Sequence, residues 1–148
     1  MKKITYIDEV LIKNKTILLR VDFNVSLNPD HSIANDARIT QALPTINYLL
    51  KNNNRLILIS HLGRPKGVDE NLSLKVVVER LKEYLKGISI SLAKTLEEAK
   101  EKKDQIIIVL ENIRFFPEEK NYSTLFAQKL SSLAEVYVND AFGVCHRA

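Results

Sequence analysis

The chain has 148 residues, 45% of them apolar and 27% charged, with a formal net charge of +4. A domain of this size buries roughly 68–70% of its unfolded-chain surface, enough for a core without disulfides or metals. One cysteine excludes an intrachain disulfide framework and favours a reducing cytoplasm. The longest apolar runs, such as Ile106–Leu110, are too short for a transmembrane helix, and the first ten residues lack the apolar stretch of a secretory leader.

Strand-like and helix-like segments alternate along the chain. Thr16–Val21 is nearly continuous in apolar residues and reads as the first strand. Leu56–Ser60, Ile88–Leu92 (the weakest), Ile106–Leu110 and Val136–Val138 follow. Short β-branched runs of this kind suit strands buried on both faces of a parallel sheet. Between the first two strands, Ile39, Ala42, Leu43, Ile46, Leu49 and Leu50 recur at helical spacing, and Pro44 inside that stripe predicts a kink or a fresh helix start. Leu74, Val77, Val78, Leu81 and Leu85 form a second stripe, with Ser73 as its N-cap. Thr95-Leu96-Glu97-Glu98 reads as a capping box opening a short charged helix to about Lys103. Phe126, Leu130 and Leu133 mark a fourth helix. This alternation predicts an α/β, doubly wound, Rossmann-like parallel sheet with flanking helices and right-handed crossovers. No helix pattern follows the last strand before Ala148, so the chain reads as truncated.

Ligands of open α/β sheets bind beyond the carboxyl ends of the strands. The loops there carry Asp22-Phe23-Asn24, then His61 to Gly67, then Glu111 to Phe116, then Asn139 to Arg147, while Arg38 opens the first helix. Lysine is scattered, but four of the seven arginines (Arg38, Arg64, Arg114 and Arg147) fall at this one edge, with His61 and His146. The guanidinium fork suits carboxylate and phosphate, so a convergence of arginines implies a small polyanion. Asp22 and Asn24 can accept from or donate to a hydroxyl. The pattern points to a small phosphorylated hydroxy acid.

Each residue alone has a blander reading. A loop arginine is commonly a solvated or ion-paired surface residue. His61 fits a strand-end residue bonded to backbone, and Asp22 fits a turn former. Gly63 and Gly67 fit a loop needing positive φ. Cys145 beside His146 does not make a thiolate–imidazole pair, because neighbours in extended chain point to opposite sides. Lys100, Lys102 and Lys103 alternate with Glu97, Glu98 and Glu101 as a solvated helix face, not a nucleic-acid patch. No P-loop, no Gly-x-Gly-x-x-Gly fingerprint and no His/Cys set with metal-ligand spacing occurs.

Six segments in order carry a family resemblance. They are Arg20-Val21-Asp22-Phe23-Asn24-Val25, Asp36-Ala37-Arg38-Ile39, Ala42-Leu43-Pro44-Thr45-Ile46, Ser60-His61-Leu62-Gly63-Arg64-Pro65, Leu110-Glu111-Asn112-Ile113-Arg114-Phe115, and Val138-Asn139-Asp140-Ala141-Phe142-Gly143 followed by His146-Arg147-Ala148. Over nearly its whole length the chain resembles phosphoglycerate kinase, specifically most of the N-terminal, phosphoglycerate-binding lobe of that two-lobe enzyme. The resemblance implies that residues 1–148 are an incomplete N-terminal lobe without the nucleotide-binding domain. It implies reversible phosphoryl transfer between 1,3-bisphosphoglycerate and ADP by the complete, monomeric, cytoplasmic enzyme, and no turnover by this chain alone. Mg-ATP or Mg-ADP would be bound mainly by the absent C-terminal lobe. Asp22 and Asn24 would bond the substrate hydroxyl, and His61, Arg64, Arg114 and Arg147 would hold the non-reacting phosphate. Arg38 would face the reacting end as the catalytic residue. Ser26 departs from the family's usual proline and Cys145 from its usual small residue. A non-catalytic anion-binding module is the rival expectation. A basic nucleic-acid binder is weaker, since the aromatics fall in apolar stripes and turns rather than among exposed cations.

Overall fold

A computed structural model describes residues 4–117 and 124–141. Its centre is β1 (Thr16–Val21), which pairs in parallel with β4 (Arg55–Ile59) on one side and β7 (Val136–Asp140) on the other. Beyond β4 lie β6 (Ile107–Leu110) and β5 (Ile90–Ala93), giving a five-stranded parallel sheet in the order β5-β6-β4-β1-β7. Between β1 and the first helix, β2 (Ser26–Leu27) and β3 (Ile33–Asn35) form a small antiparallel hairpin.

Helices cover both faces, which explains the continuous apolar strands. Ile17, Leu19 and Val21 of β1, with Leu56, Leu58, Ile107 and Val109, pack in one core with α1 (Ala37–Leu50) and α2 (Lys75–Tyr84), through Ile39, Ile46, Leu49, Val77 and Leu81. The alternate residues Leu18, Ile57, Ile59, Ile108 and Leu110 form a second core with Leu96 and Ala99 of α3 (Leu96–Glu101) and Phe126 of α4 (Thr124–Ser131). Each fully buried aliphatic side chain contributes about 1.5–3 kcal/mol, so both faces are needed to offset chain entropy.

Strand limits move by one or two residues for local reasons. β4 starts at Arg55, whose N–H bonds the Lys15 carbonyl, and Ser60 leaves the ladder because its hydroxyl accepts from Phe23 N–H. β5 starts late because Ile88 belongs to the turn that ends α2, where its N–H donates to Leu85 O and Gly87 has φ +84°. β6 loses Ile106, which is exposed. β7 runs on through Asn139 and Asp140, which pair with Arg20 and Val21 although the apolar pattern stops at Val138.

α1 runs unbroken through Pro44, so no fresh helix starts there. Ser73 stands one residue outside the N-cap position of α2, held by Leu74, but its hydroxyl still accepts from Lys75 N–H at 3.1 Å. Thr95 caps α3 as expected, its side chain accepting from Glu98 N–H, while Glu98 reaches back to Lys94 N–H rather than to the cap residue itself. α3 ends at Glu101, two residues short of Lys103. The β2–β3 hairpin has no counterpart in the sequence reading. Its turn uses Asp30, whose carboxylate accepts from both the N–H and the hydroxyl of Ser32, with His31 at φ 68°.

Candidate anion-binding site

All five strands are parallel, so their carboxyl ends share one edge, and the loops there are joined by hydrogen bonds. Ser60, buried at the end of β4, accepts from Phe23 N–H at 2.9 Å through its hydroxyl, while its carbonyl accepts from Ile113 N–H at 2.9 Å. One residue thus binds the loops after β1, β4 and β6 together.

On the β1 loop, Asp22 Oδ1 accepts from Asn24 N–H at 3.1 Å and from Arg38 Nη1 at 3.1 Å. Arg38 Nη1 also donates to Asn24 O at 3.0 Å. Arg38 is the second residue of α1 and its side chain is 48% exposed, so this ion pair contributes little to stability. Its value lies in holding a guanidinium in place. The remaining nitrogens of Arg38 have no partner among the described residues. Asn24 Oδ1 accepts from Gly63 N–H at 2.8 Å, which ties the β1 loop to the β4 loop.

His61 is buried, whereas Arg64 is exposed and makes no hydrogen bond or ion pair to the described residues. Arg114 sits in a single 3-10 turn (Ile113–Phe115), half-buried, and its Nη1 donates to Gly63 O at 2.9 Å. The structure therefore brings Asp22, Asn24, Arg38, His61, Arg64 and Arg114 to one edge. Arg147, with Cys145 and His146, lies outside the described residues.

Beneath the arginines lies a buried polar layer. Glu111 accepts from the Ser73 hydroxyl at 2.7 Å and from Leu74 N–H and Asn112 N–H at 2.8 Å each. These bonds anchor the N-terminus of α2 to the β6 loop. Asn112, 0% exposed, connects the β6 loop to Leu62 and Leu72.

Nearby, Asp36 precedes α1 but does not cap it. Its carboxylate accepts from the Tyr84 hydroxyl and from Arg80 Nη1, clamping α1 to α2. The Tyr84 hydroxyl, then Arg80, hold the Asp36 carboxyl below the ordinary carboxylate range. At the end of β7, burial pushes the Asp140 carboxyl above that range, partly offset by a hydrogen bond with Thr45. A cleft of about 450 Å³ lies elsewhere, between the hairpin and α2. Its walls mix Glu70, Glu79 and Glu83 with Lys75 and Arg80, so it lacks the single-sign chemistry of the arginine edge.

The family model described as "Phosphoglycerate kinase" matches residues 7–148. The chain belongs to the phosphoglycerate kinase family. The phosphoglycerate kinase of Hydrogenobaculum sp. is 48% identical over 146 residues, covering 95% of this chain and 37% of that protein. The cytosolic phosphoglycerate kinase 3 of Arabidopsis thaliana is 46% identical over 146 residues, covering 95% of this chain and 36% of its own length. The solved phosphoglycerate kinase of Coxiella burnetii superposes with a TM-score of 0.84 at 31% identity, over 96% of this chain and 36% of its own. That of Pyrococcus horikoshii gives 0.81 at 30% identity, over 97% and 38%. The chain thus spans little more than a third of these phosphoglycerate kinases, and it has their α/β fold.

Strand ends and the first helix start put Arg38, Arg64 and Arg114 at this edge, but the sequence does not disclose what surrounds them. In the sequence Arg20 reads only as part of the first strand. It stands at the carboxyl end of β1, paired in register with Ile59 and Asn139, and its buried Nη2 has no hydrogen-bond partner among the described residues. A lone cation in an apolar strand was the available signal. Glu111 and Asn112 were noticed as a motif and given no task, since the partners of a buried polar residue cannot be read from spacing.

Proposed function

We propose that residues 1–148 form the 3-phosphoglycerate-binding lobe of a phosphoglycerate kinase, which moves a phosphoryl group between 1,3-bisphosphoglycerate and ADP. The observation that carries this reading is the convergence of Arg38, Arg64 and Arg114 with His61 at the carboxyl edge of the sheet, in a chain of this family. His61, Arg64 and Arg114, joined by Arg147, hold the phosphate that does not react. Asp22 and Asn24 take the substrate hydroxyl. Arg38, steadied by Asp22 and Asn24 O, presents its remaining N–H groups to the end where phosphoryl transfer occurs.

Transfer of this kind needs positioning and charge stabilisation rather than a covalent intermediate. The arginine-rich edge suits that demand. Among the described residues no group of three or more His, Cys, Asp or Glu is placed to hold a metal ion. Mg-ADP or Mg-ATP is assigned to the part of the family's length that this chain does not span. No described helix is long and apolar enough to cross a membrane. Transfer requires both reactants to be held in line, so residues 1–148 by themselves should show no turnover in a coupled assay.

A thermal melt tests the reading. At a hundred times its dissociation constant, a ligand stabilises by about 2.7 kcal/mol. For a chain of this size that raises Tm by roughly 5–11 °C. 3-Phosphoglycerate should produce such a rise, smaller at high salt because exposed guanidinium–anion contacts are screened. Glycerate, lacking the phosphate, should produce far less. Equal shifts from the two ligands would refute a phosphate pocket at this edge.

A further inference from the structure

Asn112 is fully buried and both ends of its amide are saturated. Its Oδ1 accepts from Leu62 N–H at 3.3 Å and Arg114 N–H at 3.1 Å. Its Nδ2 donates to Leu62 O at 2.8 Å and Leu72 O at 2.9 Å. One side chain therefore joins its own 3-10 turn, which carries Arg114, to two segments 40 to 50 residues earlier: the loop running from His61 to Arg64 and the turn before α2. The arrangement closes into a ring, because Arg114 Nη1 donates to Gly63 O, one residue beyond Leu62. From that ring Gly63 N–H reaches Asn24 Oδ1.

We propose that Asn112 is the positioning residue of the phosphate pocket, setting the placement of Arg114 relative to the loop that bears His61 and Arg64. This rests on the anion-site reading given above. Only an amide meets the demand, because two N–H donors and two carbonyl acceptors converge on one fully buried position. Asp, Ser or Leu each leave at least one of the four groups unpaired, and a buried unpaired group forces the loops to move or to admit water. A shift of about 1 Å in a positioned group is enough to lose two orders of magnitude in an oriented interaction.

The test separates placement from plain stability. Dissociation constants for 3-phosphoglycerate and for glycerate are measured on the 148-residue chain and on Asn112→Asp, each corrected for the folded fraction. Asp keeps both acceptor bonds and sets a carboxylate oxygen against the carbonyls of Leu62 and Leu72. The dissociation constant for glycerate divided by that for 3-phosphoglycerate, which reports what the phosphate adds, should fall at least about tenfold in the variant. Glycerate affinity should barely change. An unchanged ratio in a folded variant overturns the positioning role and leaves the anion site standing. Failure of the unmodified chain to bind 3-phosphoglycerate overturns both.

If Asn112→Asp does not fold, the unmodified chain still decides. The side-chain amide resonance of Asn112 should exchange slowly with solvent and shift on saturation with 3-phosphoglycerate but not with glycerate. A resonance that stays put with 3-phosphoglycerate bound contradicts the proposal.

Discussion

Removing the Glu111 carboxylate should be among the most damaging single changes at this edge. Glu111 is 7% exposed and accepts three hydrogen bonds, from the Ser73 hydroxyl, Leu74 N–H and Asn112 N–H. In Glu111→Ala the two amides lose the one acceptor they have among the described residues, and each buried unsatisfied group costs about 1–3 kcal/mol. The Ser73 hydroxyl is less affected, because it can rotate and still accepts from Lys75 N–H. Water entering the space left by the side chain trims the upper limit, so the net loss should be about 2–5 kcal/mol. Folded domains of this kind are stable by only about 5–15 kcal/mol, so the loss is a large fraction of the total. Glu111→Gln should cost much less. Its carbonyl oxygen can stay on the two amides while its NH₂ donates to Ser73 Oγ, forfeiting only the charge assistance, about 1 kcal/mol. Urea unfolding of the three proteins at pH 7 measures both differences. A Glu111→Ala variant within about 1 kcal/mol of the parent, or a Gln variant as damaged as Ala, would refute this account of the buried layer.

Three further outcomes follow from the same geometry. Asp36 has a depressed pKa in the folded state, so its stabilisation is complete at neutral pH and lost as pH falls through that folded value; Asp36→Asn should lower stability at pH 7 and flatten the acid side of a stability–pH curve. Asp140 has a raised pKa, so it opposes folding above its unfolded value and the penalty fades as pH falls through the folded one; Asp140→Asn should raise the urea midpoint at pH 7, with the gain shrinking on acidification. Gly63 has φ +64° and a Cβ there would stand 2.9 Å from Leu72 Cδ2, so Gly63→Ala should cost about 1–2 kcal/mol from the backbone alone and weaken 3-phosphoglycerate binding in calorimetry.

The large features of the fold were written in hydrophobicity. Thr16–Val21 and Ile106–Leu110 look like double-faced strands because both faces of the sheet are covered, and the structure departs from them only at Ile106. The ends of elements were less legible, because polar residues settle them through hydrogen bonds. Ser60 leaves β4 to bind Phe23, and Asn139 and Asp140 extend β7 by pairing with Arg20 and Val21. At the site, the placement of Asp22, Arg64 and Arg114 follows from strand ends, and that of Arg38 from the start of the first helix. Their partnerships did not. Asp22 was assigned to a substrate hydroxyl and Arg38 to the reacting end, yet the two are ion-paired at 3.1 Å. The roles of Glu111 and Asn112 depend on residues about 40 and 50 positions away, a distance no local pattern spans.

On the proposed function, the carboxyl edge of this sheet binds the phosphorylated acid. Amide chemical shifts of the ¹⁵N-labelled chain, followed during titration with 3-phosphoglycerate, test it most directly. Asp22, Asn24, Arg38, Gly63, Arg64 and Arg114 should move together along one binding isotherm. Asn53, Lys103 and Asp104, at the opposite end of the strands, should not. Shifts centred on that opposite end, or on the cleft lined by Glu70, Glu79 and Arg80, would contradict the account.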